Sequence, residues 1–138
     1  MTSETAIHHH KMKWIRDNVN EGRVERLISR ALSEMPQRRL QRTIKEKGHL
    51  QATPPVTILD TYCMELVDVT AEEHEHGTHL LFATFNTITE FEADLDSEDP
   101  TNQDRTQSTT LDLESQTTAR ITVENDGILD MSIEEIEF

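Results

Sequence analysis

The sequence predicts an α+β domain in which two or three N-terminal helices pack on a four-stranded antiparallel meander sheet. The spacing of apolar residues changes from a helical period to strict alternation after Pro54 and Pro55. Turn residues separate the alternating runs. The length of 138 residues fits one domain. We therefore expect a disordered tail over residues 1–10 and a single domain over residues 11–138, divided into a helical layer (11–48) and a sheet (56–138).

The helical layer is predicted from three apolar stripes. Trp14, Ile15 and Val19 indicate a first helix over about residues 11–20, which Gly22 interrupts. Pro36 suits the first turn of a third helix, and Gly48 is expected to end it. The helix between them is the most amphipathic, because its apolar residues recur three and four positions apart: Val24, Leu27, Ile28, Ala31, Leu32 and Met35.

The sheet is predicted from four segments of alternating apolar and polar residues. A hairpin turn at Asn125-Asp126-Gly127 precedes the last strand, because these residue types tolerate a positive φ angle. The polar segment 96–107 is expected to be a loop. The three earlier strands are predicted over residues 56–70, 79–95 and 109–124.

The composition predicts a thin core and an uneven charge. Hydrophobic residues make up 34% of the chain, and its net charge is −14. Residues 1–50 carry 11 of the 13 basic residues and a net charge of +5, whereas residues 51–138 carry −19. We interpret the division as a basic helical layer on an acidic sheet; two faces for two partners are the alternative. Excess acid with only four lysines is typical of a halophilic protein, because salt screens carboxylate repulsion.

Several function classes are excluded by what the sequence lacks. Cys63 is the only cysteine, which excludes an intramolecular disulfide and a cysteine-cluster zinc site. No apolar run reaches membrane length, and no signal peptide is present, so we expect a cytoplasmic protein without membrane contact. Cys63 lies in the middle of a predicted strand, where a structural role is the better interpretation. Serine nucleophile elbows, phosphate-binding loops and dinucleotide fingerprints are missing, so we expect neither an enzyme nor a cofactor.

A histidine-rich turn is the candidate metal site. His74, His76 and His79 lie between the first two predicted strands. Three imidazoles suit zinc, nickel or copper. A polar loop whose histidines are merely soluble is the alternative, and we favour it.

A basic helix is the candidate nucleic-acid contact. Arg38, Arg39 and Arg42 cluster in the third predicted helix, and phosphate binding needs such clusters. No standard DNA-binding motif accompanies them. We therefore favour a solvated helix surface and regard nucleic acid as the less favoured partner.

An acidic sheet face is the candidate site for a protein partner. The residues expected to form it are Asp112, Glu114, Glu124, Asp130 and Glu134. Our first interpretation is a small non-catalytic accessory module that presents this face to another protein. An anionic nucleic-acid mimic, or an antitoxin-like inhibitor, is the alternative that uses the same residues.

Residues 83–99 (ATFNTITEFEADLDSED) and 119–138 (ARITVENDGILDMSIEEIEF) carry a resemblance to a known family. Their strand patterns resemble the β-rich C-terminal appendage of prokaryotic PIN-like ribonuclease-family proteins, over about the last 85 residues. The nuclease domain of that family has no counterpart in residues 1–50. The resemblance therefore implies an accessory part alone, with nuclease activity assigned to no residue of this chain.

Overall fold

The fold is taken from a computed structural model that describes residues 3–73, 78–97, 107–125 and 127–138. Three helices come first, followed by four strands. The helices are α1 (Ser3–Asn18), α2 (Glu21–Ser33) and α3 (Gln37–Gly48). The strands are β1 (Leu50–Glu73), β2 (Thr78–Ser97), β3 (Gln107–Glu124) and β4 (Gly127–Glu137).

The strands form one antiparallel meander sheet in the order β1-β2-β3-β4. All three helices contact the sheet, α1 and α2 mainly through β1, and α3 through β1 and β3. The buried apolar residues of the helices cluster with the odd-numbered residues of β2 and β3. The structure therefore confirms the predicted α+β fold. None of the described helices combines the length and apolar character that a membrane crossing needs.

The N-terminal boundary differs from the prediction. Residues 3–10, which we expected to be a disordered tail, belong to α1. The break between α1 and α2 falls at Val19 and Asn20, two residues before Gly22. Asn20 caps α2, because its side-chain oxygen accepts a hydrogen bond from the Gly22 amide at 2.8 Å. Gly22 therefore lies inside the first turn of α2.

α3 ends at Gly48, as predicted, but the left-handed backbone conformation falls on the residue after it. That residue is His49, with a φ angle of 56°. A Cβ atom on Gly48 would lie 2.8 Å from Leu111 Cδ2. Gly48 is thus placed where α3 approaches β3 closely.

β1 begins at Leu50 and not at residue 56, so Pro54 and Pro55 lie inside the strand. Proline is tolerated there because β1 is an edge strand, whose outward amides need no strand partner. The register of β1 against β2 shifts at four places, between Thr53 and Asp68. These shifts turn the side chains of β1 out of simple alternation.

Side chains from α2 and α3 cover the outer edge of β1. Gln37 Oε1 accepts from the Val56 amide at 2.5 Å, and Gln37 Nε2 donates to the Val56 carbonyl at 3.1 Å. Gln41 Nε2 donates to the Ala52 carbonyl at 2.9 Å. The Cys63 amide donates to Glu25 Oε2 at 2.8 Å. These bonds occupy backbone groups that an open edge would offer to another strand.

The core consists of two apolar clusters under the helices. The larger cluster joins α1 and α2 to one end of the sheet and includes Ile28, Leu32 and Ile121. The smaller cluster joins α3 to the other end and includes Ile44 and Phe91.

A belt of buried hydroxyl groups crosses the inner face of the sheet between the two clusters. Thr87 Oγ1 lies 2.6 Å from Ser115 Oγ and 3.1 Å from Thr117 Oγ1. The Ser29 hydroxyl of α2 donates to Thr61 Oγ1 at 3.0 Å. Thr89 Oγ1 is buried and has no hydrogen-bond partner within the described part of the chain. We call Thr61, Thr87, Thr89, Ser115 and Thr117 the hydroxyl belt.

Candidate functional site

The sheet face opposite the helices is strongly acidic. We call it the outer face; it carries the even-numbered residues of β2 and β3 and their partners on β1 and β4. Arg120 is the one cation among the described side chains at these register positions. The carboxylates at the same positions number thirteen: Asp60, Glu65, Asp68, Glu72, Glu90, Glu92, Asp94, Asp112, Glu114, Glu124, Asp130, Glu135 and Glu137.

Three of these carboxylates form a row across adjacent strands. Asp60 pairs with Glu90, and Glu90 pairs with Asp112. Paired side chains of adjacent strands lie about 5 Å apart, so the row concentrates three charges. We call these residues the acidic row. A hydrogen bond to Asp60 and the negative charge of the row raise the pKa of the Tyr62 hydroxyl.

A shallow groove of about 570 Å³ lies beside the acidic row. We call it the outer-face groove. Met64, Ile88 and Phe138 supply its apolar surface, and Glu114 and Glu137 supply carboxylates. Thr87 and Ser115 of the hydroxyl belt also line it. Met64 is 59% exposed, and the nearby Tyr62 is 44% exposed.

Side-chain amides form a chain of hydrogen bonds beside the groove. Asn86 Nδ2 donates to Glu65 Oε1 at 3.2 Å, and Gln116 Nε2 donates to Asn86 Oδ1 at 3.3 Å. This chain of bonds crosses β1, β2 and β3, and it holds Gln116 beside the carboxylate of Glu137, its register partner. The groove therefore combines an apolar centre with positioned acceptor oxygens.

The five residues predicted to form the partner-binding face are divided between the two ends of β3. Asp112 and Glu114 lie at the acidic row and the groove. Glu124 lies twelve residues beyond Asp112 on β3, which is about 40 Å in an extended strand. Asp130 lies opposite Thr122 at that far end, and Glu134 lies at the register shift between β3 and β4. The five residues therefore do not form one compact row.

The sequence reasoning missed the contributions of β1 and β2 to this site. Asp60 and Glu90 join Asp112 only through the strand register, and two register shifts, at Met64 and Val67, lie between Asp60 and the end of β1. No residue type in β1 announces these shifts, so the alternation pattern offers no signal for them.

The predicted basic residues lie on the exposed surface of α3. Arg38, Arg42 and Lys45 follow one line along the helix, which His49 extends, and we call these four residues the basic stripe. With Gln41 and Gln51 they line a groove of about 660 Å³. Arg39 lies exposed on the neighbouring side of α3. Within the described ranges, no carboxylate lies within 4.0 Å of these arginines or of Lys45.

The candidate metal site falls mostly outside the described residues. His74 and His76 are not described, and His79 lies exposed in β2. Among the side chains that the structure describes, no three His, Cys, Asp or Glu residues are arranged to hold a metal ion. Metal binding at this turn stays a prediction.

Cys63 is half-buried in β1. Burial, together with the charges of Glu25 and Glu21, raises the pKa of its thiol to about 12. A thiol at that pKa is almost entirely protonated at neutral pH, and the thiolate is the nucleophilic form. The environment of Cys63 therefore suits a structural residue.

Comparison of the chain with models of protein families, with curated proteins and with solved structures found no match. The resemblance to the appendage of PIN-like ribonuclease-family proteins stays a prediction, and the geometry of the outer face is the main guide to function.

Proposed function

We propose that the protein is a non-catalytic binding module whose outer face takes up a basic segment of another protein. The outer-face groove carries this proposal, because it places apolar side chains beside carboxylates on a face that no described helix covers. Lysine and arginine suit such a surface. Their aliphatic stems pack on apolar groups while their charged ends reach carboxylates.

The geometry supplies both parts of this contact. The side chains of Met64 and Ile88 can receive the stem of a basic residue. Glu114 lies next to Ile88 in the register, and the acidic row lies at the next outward-facing pair, Glu90 and Asp112. Complementary charge also speeds association and rejects acidic partners.

A displayed library of random peptides tests the proposal. We expect selection on the intact protein to enrich peptides that carry several lysines or arginines among apolar residues. Neutralising the site with Asp60→Asn, Glu90→Gln, Asp112→Asn and Glu114→Gln should weaken the binding of a selected peptide at least about tenfold, or 1.4 kcal/mol.

A matched control separates the site from the overall charge. Asp17→Asn, Glu21→Gln, Glu34→Gln and Glu46→Gln change the net charge equally, but they lie in the helical layer, three on the helices and Glu34 at the C-terminal cap of α2. We expect this variant to bind within about twofold of the original protein. Equal losses in both variants, or enrichment of peptides without basic residues, would contradict the proposal.

The basic stripe supports a second candidate function, contact with a phosphate-bearing polyanion such as single-stranded nucleic acid. No described carboxylate pairs with its arginines or with Lys45, and these cations line one groove together with Glu46. Clustered cations of this kind are what phosphate binding requires. Binding of a labelled DNA oligonucleotide, measured by fluorescence anisotropy against salt, tests it. Arg38→Gln with Arg42→Gln should lower the salt slope by about two, whereas Arg16→Gln with Arg26→Gln should not.

A further inference from the structure

β3 has two parts that differ in their neighbours. Residues Gln116–Glu124 pair with β2 on one side and β4 on the other. Residues 110–115 pair with β2 alone, because the register of β4 ends where Glu137 meets Gln116. No hydrogen bond from the described chain reaches the other side of this six-residue stretch. We call that side the free edge.

The free edge contrasts with the edge of β1. Glu25, Gln37 and Gln41 occupy backbone groups of the β1 edge at Ala52, Val56 and Cys63 with four hydrogen bonds. Folded proteins commonly cover or charge such edges, because unpaired amides and carbonyls pair with any extended chain. At the free edge, by contrast, half of the backbone groups point away from β2, and no described residue bonds to them. Addition of a strand from a partner is a recurrent mode of peptide recognition.

The side chains along the free edge alternate between the two sheet faces. Asp112 and Glu114 are exposed on the outer face. Leu113 is buried and Leu111 is half-buried on the inner face. Phe138 continues the inner face beyond β4, with its ring 5.9 Å from that of Phe91. A strand added here would therefore meet carboxylates on one side and apolar groups on the other.

We propose that the free edge of β3 binds an extended partner segment of alternating basic and apolar residues, which adds to the sheet in line with β4. The proposal rests on the proposed function of the outer face and specifies the conformation of the partner. The basic side chains lie over Asp112 and Glu114, and the apolar side chains lie against Leu111 and Phe138. Backbone hydrogen bonds to β3 supply affinity, and the alternation supplies selectivity.

Peptides of equal composition test this conformation. The probes are KVKVKVK and the block peptide KKKKVVV, both with neutral ends. Binding to the intact protein is measured at about 0.15 M salt, where exposed charges are partly screened. We expect the alternating peptide to bind at least about tenfold more tightly than the block peptide.

Backbone methylation makes the test specific for strand addition. In an extended peptide the amides of the lysines point to one side and those of the valines to the other. Methylating one set should abolish binding, and methylating the other should leave it within about threefold. In the complex, amide hydrogen exchange at residues 110–115 should slow, while exchange in α1 stays unchanged.

Protein variants and the remaining outcomes separate the two proposals. Asp112→Asn with Glu114→Gln should weaken the alternating peptide, and Asp17→Asn with Glu34→Gln should not. If both peptides bind equally and the Asp112 and Glu114 changes weaken both, strand addition is overturned. The proposed function of the outer face would then still stand. Equal effects of both methylation patterns would also overturn strand addition. If neither peptide binds, both this proposal and the proposed function of the outer face are contradicted.

Discussion

The side-chain amide of Gln37 hydrogen-bonds to both backbone groups of Val56, with Oε1 accepting at 2.5 Å and Nε2 donating at 3.1 Å. A glutamine of α3 thus takes the place of a neighbouring strand residue at the edge of β1. The contact joins the helical layer to the sheet and occupies one position of the β1 edge.

Gln37→Leu should lower the free energy of unfolding by about 1–2 kcal/mol, because the Val56 amide and carbonyl lose their partner. It should also increase aggregation, since the β1 edge becomes available. Gln51→Leu is the control, because Gln51 is exposed in β1, the strand that contains Val56. Its side chain bonds to none of the described backbone groups of the β1 edge. Urea unfolding and light scattering measure the two effects. Equal stability of the two variants would show that the Gln37 contact contributes nothing.

The hydroxyl belt predicts opposite effects for two threonines. Thr89→Val removes a buried hydroxyl that has no partner among the described residues, and it should raise stability by about 1 kcal/mol. Thr87→Val leaves the Ser115 and Thr117 hydroxyls short of a partner and should lower stability by about 1–3 kcal/mol. Both changes keep the shape of the side chain, so chemical unfolding compares the hydroxyls directly. A loss of stability in Thr89→Val would indicate that its hydroxyl is satisfied.

The raised pKa of Cys63 predicts slow alkylation and a loss of stability at high pH. The native thiol has a pKa of about 12 against an ordinary value of 9.0, so the folded state favours the protonated form. The corresponding stabilisation is complete below pH 9 and decreases as the pH rises from 9 towards 12. Iodoacetamide should therefore react far more slowly with the native protein at pH 8 than with the unfolded chain.

Cys63→Ser should flatten the decrease in stability above pH 9, and Glu25→Gln should speed alkylation of the native thiol. Native alkylation as fast as that of the unfolded chain would contradict the buried, acid-flanked environment of Cys63.

The charge of the outer face predicts that salt stabilises the fold. Its carboxylates outnumber nearby cations, and neighbours across strands lie about 5 Å apart. The Debye length falls from about 10 Å at 0.1 M to about 3 Å at 1 M. The melting temperature should therefore rise with potassium chloride up to molar concentrations, and neutralising the acidic row with Asp60→Asn, Glu90→Gln and Asp112→Asn should reduce the rise. A flat or falling melting temperature would contradict the halophilic interpretation and favour the anionic inhibitor.

The periodicity of the sequence predicts the helix and strand order well, because burial of one face imposes it directly. Ile28 and Leu32 on α2 and Ile121 on β3 are buried where their spacing predicts an apolar face. The predicted start of β1 was wrong, because Pro54 and Pro55 were interpreted as a break before the strand. Only the sheet order shows that β1 is an edge strand.

The candidate site was harder to predict than the fold. Charge composition indicates an acidic sheet, but the meeting of Asp60, Glu90 and Asp112 depends on register shifts in β1. The free edge depends on the difference in length between β3 and β4, and strand ends are weakly marked in alternating sequences.

The hydroxyl belt has a consequence for how the domain opens. The strands run through both apolar clusters, but α3 belongs to the smaller one, whereas α1 and α2 belong to the larger. The hydroxyl belt lies between the clusters, and the apolar side chains of Met35, Ile58 and Phe138 pack against both. We expect the two clusters to open as partly independent units that share a sheet. The unit containing α3 has fewer buried apolar residues, and its amides should exchange with solvent at a lower free energy of opening than those of α2.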